Sequence, residues 1–480
     1  VKKEKLFPYL YLSVGIVSFA YVFLRAIYVG ITFDESWTIT TFVPQSVYDI
    51  INFTECDANN HLVNTLLIKL FYLFDYQTLF VARLPNVLAF LLFLIYGYKI
   101  GSRLIGSWVG LSCFSLLILN PFLLDFFSLA RGYGLAMGFL ISSIYFAIKF
   151  LKDSELKTVV ASLFFGMLAV LSNFSVLNYW MSMVLLINLL PFVKKNSLDF
   201  KVIFATSLGF SILLLTLLFN PISKLIENDS LFYGGNTSFY FDTLGSLTDY
   251  FLYNSASSGQ VFFFLDCFLA ILLGALVYSA LHTKRELVTP KNFLFALTLL
   301  SFLAVVFQHL LLNTVYLIDR TALFFYVLLI LLLCFSIQEF ATYVYAKILL
   351  AVVVIFGINF FQHANFYKTT TWYFDAHSED ILKTINEIGK SEKQIQKIDF
   401  SWPFVSSIKY YWSKKDYPYI EIIKNERQRD DINPDADYYV FLNRAMNFYR
   451  YFPKDQRIHP FEKDTIQQYP SEDIYVFKLL

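Results

Sequence analysis

Long apolar runs recur along this chain, separated by short polar stretches, at 7–30, 80–100, 107–124, 131–150, 158–173, 176–193, 202–220, 261–281, 292–312, 321–338 and 345–362. About 20 mostly apolar residues are needed to cross a bilayer core as a helix. The pattern therefore predicts an all-α polytopic membrane domain of about eleven transmembrane helices over residues 1–362. The first connecting loop, 31–79, is itself patterned. Val43, Val47, Ile50 and Ile51 recur at helical spacing. Within His61–Phe74 a polar stripe of His61, Asn64, Thr65 and Lys69 stands beside Leu62, Leu66, Leu70 and Leu73. Both stretches read as amphipathic helices on the membrane surface, the second equally as a helix packed into its loop. After Gln362 no apolar run remains, and 363–480 is rich in Lys, Glu, Asp and Tyr. There Ser378–Lys390 reads as an amphipathic helix and Ile398–Phe400, Tyr438–Leu442 and Asp473–Leu479 as strands. That length suffices for a small independent α/β domain.

The positions of Lys and Arg orient the helices, because basic residues concentrate in cytoplasmic loops. With the N-terminus inside, the inner segments hold Lys2, Lys3, Lys5, Lys99, Arg103, Lys149, Lys152, Lys157, Lys194, Lys195, Lys201, Lys284, Arg285, Lys291 and Lys347. The outer loops hold few, among them Lys69 and Lys224. This predicts a multi-pass cell (inner or plasma) membrane protein with a cytoplasmic N-terminus and an extracytoplasmic C-terminal domain. The basic start followed by a long apolar run reads as a retained anchor, not a cleaved signal.

Composition agrees: 57% of the 480 residues are hydrophobic and 16% charged, against roughly 25% charged in soluble domains. A net charge of +1 argues against nucleic acid as a partner. The 54 Phe and 33 Tyr suit a lipid-facing surface with anchors at the headgroup level. Four cysteines show no framework or metal spacing.

The candidate chemistry collects at the outer face. Asp34 and Glu35 follow the first span directly, and carboxylates so near hydrocarbon are functional candidates. Adjacent residues on a helix point different ways, so the two acids have different tasks. Asp34 is the candidate general base, while Glu35 could bind a metal or orient its loop. The same face holds His61, Arg83, Asp125, Arg131 with Tyr133, and Asp319 with Arg320. Arg131 and Arg320 carry the planar fork that suits phosphate oxygens, or they snorkel to the headgroups. Asp125 could pair with Arg131, and Asp319 could neutralise Arg320. Arg83 is a phosphate ligand or a structural anchor. The loop Phe232-Tyr-Gly-Gly-Asn236 is a candidate for substrate recognition. Asp435-Ala-Asp437 has the form of a metal-nucleotide motif, but it is short and lies where nucleotide sugars are absent.

A retained first span, an acid pair after it and amphipathic helices in the first outer loop resemble the GT-C glycosyltransferases, in pattern the aminoarabinose-to-lipid-A transferases and the protein O-mannosyltransferases. The strings that carry the resemblance are His61-Leu-Val-Asn-Thr65, Ala82-Arg-Leu-Pro-Asn86 and Ala130-Arg-Gly-Tyr133. The double proline that follows the histidine in that group is absent. The resemblance implies a transferase that moves a sugar from a polyprenyl-phosphate donor to an acceptor on a glycolipid, polymer or protein. It implies inversion at the anomeric carbon, Asp34 as base, and arginines (Arg131 and Arg320, with Arg83 and Tyr133) on the lipid phosphate. Some members use a divalent metal, for which Glu35 and His61 could be ligands. No cofactor follows from the sequence itself. A transporter or flippase of lipid-linked glycans is the competing reading, but transporters keep ionisable residues near the midplane, and here they gather at one face. A glycan-holding assembly protein would have no need of the acid pair.

Overall fold

The computed structural model describes residues 6–74, 78–194, 198–282, 286–340, 343–423, 433, 435–442 and 465–478. Lys2, Lys3, Lys5, Lys195, Lys284 and Arg285, which contribute to the basic asymmetry, lie outside the described residues. The chain divides into two compact units, Val1–Ala26 with Gln45–Ala364, and Ile27–Pro44 with Asn365–Leu480.

In the first unit every apolar run forms helix. The helices are Phe7–Tyr28, Leu79–Lys99, Ser107–Ile118, Pro121–Phe127, Gly132–Asp153, Leu156–Ser172, Leu177–Val193, Phe200–Glu227, Ser258–His282, Pro290–Leu312, Leu323–Gln338 and Tyr343–His363. Among the described residues eight helices are long and apolar enough to cross a membrane, or nine if one bent pair counts as a single span. The expected span 107–124 is a bent pair whose two halves meet at 65°. Asn120 and Pro121 cause the break. The Asn120 side chain accepts the Leu123 N–H at 3.0 Å and so starts a new helix, and proline suits a first helical position.

Helix Leu323–Gln338 is buried along nearly its whole length, and Gly132–Asp153 almost as fully. They form the centre of the unit. Phe200–Glu227, Ser258–His282 and Pro290–Leu312 instead leave Leu215, Phe219, Phe263, Leu273 and Leu311 exposed. Fully hydrogen-bonded helices with apolar outer faces are what hydrocarbon requires.

The loop helix Leu62–Phe71 buries Asn64 and Thr65 together with Leu62 and Ile68, whereas Leu70 and Leu73 are exposed. Its packing face therefore mixes part of the polar stripe with apolar residues.

The second unit carries a five-stranded sheet of β1 (Gln396–Phe400), β2 (Ile420–Ile422), β3 (Tyr438–Leu442), β4 (Thr465–Tyr469) and β5 (Ile474–Lys478). The order is β2-β1-β3-β5-β4, parallel on the β2-β1-β3 side and antiparallel on the other. Helix Ser378–Glu392 packs on β1 and β2 and buries Ile381, Leu382 and Ile385. Asp437 is a structural residue here: it accepts the Lys397 N–H at 2.7 Å, beside the end of β3. The short helix Phe33–Trp37 belongs to this unit and packs on helix Val405–Lys414.

Candidate active site

In the first unit a buried amide network builds the site. Asn64 donates to the Ala130 carbonyl, Asn86 donates to Asn64 Oδ1, and the Leu135 N–H donates to Asn86 Oδ1, each at 2.9 Å. Three elements (the loop helix Leu62–Phe71, span Leu79–Lys99 and the start of span Gly132–Asp153) are thereby held in register around Arg131. Glycine is required at 132 and 134. A Cβ at Gly132 would stand 2.0 Å from the Ser172 carbonyl oxygen, and one at Gly134 would stand 2.5 Å from the Phe126 carbonyl oxygen.

Arg131 is 1% exposed. It donates to the Asn59 carbonyl at 3.2 Å and to His61 Nε2 at 3.0 Å. The carbonyl of Ser172 lies 3.1 Å from His61 Nδ1, so Nδ1 carries the proton and Nε2 accepts. Burial, and next the Arg131 charge, hold the imidazole well below its ordinary range. His61 is thus a neutral ring fixed in one tautomer.

Tyr133 links this pair to Arg320. Its ring packs edge-on to His61 at 4.8 Å, and its hydroxyl accepts from Arg320 Nε at 3.3 Å. Arg320 also donates to the Tyr233 hydroxyl at 2.7 Å and lies over that ring, 4.1 Å from its centre. Tyr233 in turn donates to Asp319. Asp319 stands 3.8 Å from Arg320 and adopts φ +37°, a left-handed conformation tolerated by few non-glycine residues. Its N–H donates to Ser246 Oγ at 2.8 Å. The Gly235–Tyr316 bridge seats the loop that carries Tyr233. His61, Arg131, Tyr133, Tyr233, Asp319 and Arg320 therefore form one connected cluster. Arg320 keeps 14% of its side chain exposed, so it is the arginine with an outward face.

Helix Leu323–Gln338, which follows Arg320, helps to line a small apolar hollow of about 50 Å3 that is partly open to the surroundings. Leu247, Phe251, Phe264, Tyr326, Ile330 and Phe356 line it. Tyr326 follows Arg320 by six residues, and Leu247 follows Ser246.

Two predicted site residues have other partners. Asp125, for which a pairing with Arg131 was one of two readings, pairs with Arg25 at 2.6 Å. Arg25 is fully buried within the first span, and Tyr253 donates to the same carboxylate at 3.1 Å. Arg83, also fully buried, donates to the Ala26 carbonyl at 3.3 Å and so satisfies the end of helix Phe7–Tyr28. Removing one partner of a buried ion pair leaves an uncompensated charge, at a cost of about 3–5 kcal/mol. Asp125→Ala should therefore lower the melting temperature of the detergent-solubilised protein sharply. The double variant Arg25→Met, Asp125→Leu should recover much of the loss, and a double variant as unstable as the single one would show that the pair is not what the acid serves.

The acid pair lies in the second unit. Thr32 and Glu35 form a capping box on helix Phe33–Trp37: Glu35 Oε2 accepts from the Thr32 N–H at 3.0 Å and its hydroxyl at 3.1 Å, while the Glu35 N–H donates to Thr32 Oγ1. Glu35 is fully buried, with its carboxylate in the cap of its own helix. Asp34, between Phe33 and Glu35, is half-buried. Three contacts fix the segment from outside: the Ile31 N–H to the Tyr411 hydroxyl at 2.9 Å, the Phe33 N–H to Asp375 Oδ2 at 2.5 Å, and the Ser36 hydroxyl to the Ser406 carbonyl at 2.7 Å.

Comparison with solved structures supplies the family of folds. The chain is similar to the crystal structure of ArnT from Cupriavidus metallidurans bound to undecaprenyl phosphate, with a TM-score of 0.51 over 98% of this chain and 97% of that one, at 11% identity. The apo state of the same protein gives 0.41 at 10% identity, over 99% and 98%. The chain has the ArnT fold. No protein-family profile and no curated protein sequence matches it.

On this ArnT-like framework the donor set for a metal is poor. Both His61 nitrogens are engaged, Glu35 caps its own helix, and among the described residues no group of three or more His, Cys, Asp or Glu could hold an ion. Among the described residues, Glu35 and His61 do not belong to a set of donors that fits a divalent metal. Sequence reasoning missed Arg25, Asp375 and the Asn64–Asn86 network. It had marked the loop of Tyr233 but not the residue. A Thr-x-x-Glu pattern at 32–35 was the available signal for the cap.

Proposed function

We propose that this chain is an integral membrane glycosyltransferase that moves a sugar from a polyprenyl-phosphate donor to an acceptor at the outer face of the membrane, with Asp34 as general base. The observation that carries this reading is the cluster in which Tyr133 and Tyr233 hold Arg320, in a unit that also contains an apolar hollow. A lipid phosphate needs both halves, a cationic fork for its head and an apolar surface for its chain. The ArnT structure, which shares the fold, holds undecaprenyl phosphate. The asymmetry of Lys and Arg supports an outward-facing site.

In the reaction the acceptor hydroxyl attacks the anomeric carbon. Its proton passes to the Asp34 carboxylate as the new C–O bond forms. The bond from the anomeric carbon to the phosphate oxygen breaks on the opposite side, which inverts the configuration. The polyprenyl phosphate leaves with one more negative charge than it had as a diester, and Arg320 stabilises that charge. Glu35 and Arg131 position the groups that act, Glu35 through its helix and Arg131 through His61.

The purified chain in proteoliposomes, given radiolabelled undecaprenyl-phosphate hexoses and pentoses together with a lipid extract of the source cells, should release undecaprenyl phosphate and label an acceptor. Flipping of the labelled donor across the bilayer without any release would overturn the reading in favour of a transporter.

A further inference from the structure

The helix that carries Asp34 is five residues long. Isolated helices of under about 12 residues do not hold their own shape in water. The capping box satisfies Thr32 and Glu35, but it does not attach the helix to anything. Attachment comes from the C-terminal half of the chain, through Asp375, Ser406 and Tyr411. Of these, Asp375 binds nearest to Asp34, since its carboxylate accepts the N–H of Phe33, the preceding residue. That N–H is one of the first-turn donors that a helix cannot satisfy itself.

Asp375 is 2% exposed. It sits in a 3-10 turn, Tyr373–His377, just before helix Ser378–Glu392. Burial raises its carboxyl well above the ordinary range. Asp34 and Glu35 push it the same way, while the Ser407 hydroxyl and the Phe33 N–H partly offset them. Gly30 passes close by: a Cβ there would meet the Tyr411 hydroxyl at 3.4 Å and the Asp375 carbonyl oxygen at 3.6 Å. A buried acid beside two others is costly to keep. Among the described residues no cation pairs with it in the way Arg25 pairs with Asp125. Its hydrogen bond to the helix start is what the fold obtains in return.

We infer that Asp375 is a positioning residue for Asp34: by clamping the first turn of helix Phe33–Trp37 it fixes the direction of the Asp34 carboxylate, which makes the C-terminal unit a working part of the transferase. This rests on the reading of Asp34 as the base. The donor phosphate is bound by Arg320 and its tyrosines, so the clamp acts on turnover and not on donor affinity. A misplacement of about 1 Å in a reacting group can cost 10²-fold in rate.

The test uses the full chain in proteoliposomes with the undecaprenyl-phosphate glycosides above, and hydrogen exchange on the peptide that contains Phe33. Asp375→Ala should lower kcat about 10–100-fold with the donor KM unchanged, and should speed exchange at Phe33. Asp375→Asn keeps an acceptor oxygen in place, so it should restore both kcat and protection. If Asp375→Ala fails to accumulate, the Asn variant decides alone: active and protected supports the clamp, inactive yet protected overturns it, because the carboxyl would then act otherwise than by holding Phe33. Wild-type kcat in Asp375→Ala, in a protein whose Asp34→Asn variant is dead, overturns the inference and leaves the function standing. Full turnover by Asp34→Asn removes the functional reading itself, and the exchange data then still report on the clamp.

Discussion

Asp34→Asn should abolish sugar transfer in a protein that still accumulates and folds. General bases contribute typically 10²–10⁴-fold to rate, and the initial rate of undecaprenyl phosphate release should fall by about that factor. The three acids around helix Phe33–Trp37 are not equivalent. Glu35 and Asp375 are buried and each accepts a backbone N–H, whereas Asp34 keeps an exposed face. Of these three acids only Asp34 is accessible to an incoming hydroxyl. Asparagine matches its size, so the change removes proton acceptance without a change of volume. The contrast with Glu35 sharpens the test. Glu35→Gln keeps a side-chain oxygen for the capping box and should leave kcat within a fewfold of wild type. Glu35→Ala removes the box and should cost about 1 kcal/mol of stability. Asp34→Asn turning over at the wild-type rate, with its fold verified, would refute the assignment.

What the sequence could and could not convey follows from how local each signal is. The apolar runs were legible because a span needs a contiguous stretch and nothing else. The central strands β1, β3 and β5 were legible from short β-branched and aromatic runs. The edges β2 and β4 were not: β2 has three residues, and β4, Thr-Ile-Gln-Gln-Tyr, is mostly polar, so neither has a strong pattern. Arg25 was hidden because one charge hardly alters the character of a 22-residue apolar helix. Its partner Asp125 lies 100 positions away, while Arg131 lies only six away. Sequence proximity therefore suggested the wrong arginine. Helix Leu62–Phe71 was legible as a helix, but its buried face was not. The rule that apolar faces turn inward assumes water outside, and beside lipid part of the polar stripe can join the face that packs. Asp375 acts on a backbone N–H 342 positions away, which no periodicity records.

Arg320→Ala should reduce kcat by about 10²–10³-fold, the cost typical of removing one preorganised donor from a developing charge, or roughly 2.7–4 kcal/mol. The leaving phosphate gains its extra charge only as the sugar departs. A cation held in place beforehand therefore stabilises the transition state more than the bound donor. Arg320 is held in that way by Tyr133 on Nε, by Tyr233 on a terminal nitrogen and face, and by Asp319 nearby. Lysine keeps the charge but cannot reproduce the fork, so Arg320→Lys should lie between alanine and wild type. Tyr233→Phe removes one hydroxyl from the same arrangement and should cost less than either. Arg131 should behave differently, because it is sealed between the Asn59 carbonyl and His61 Nε2. Its replacement by alanine leaves two buried acceptors without that donor, and the loss should appear as reduced thermal stability before it appears in kcat. Measuring release rate and melting temperature for both alanine variants separates the two roles. If Arg320→Ala retains its rate while Arg131→Ala stays folded and loses its own, the phosphate lies at the other arginine and the assignment made here is reversed.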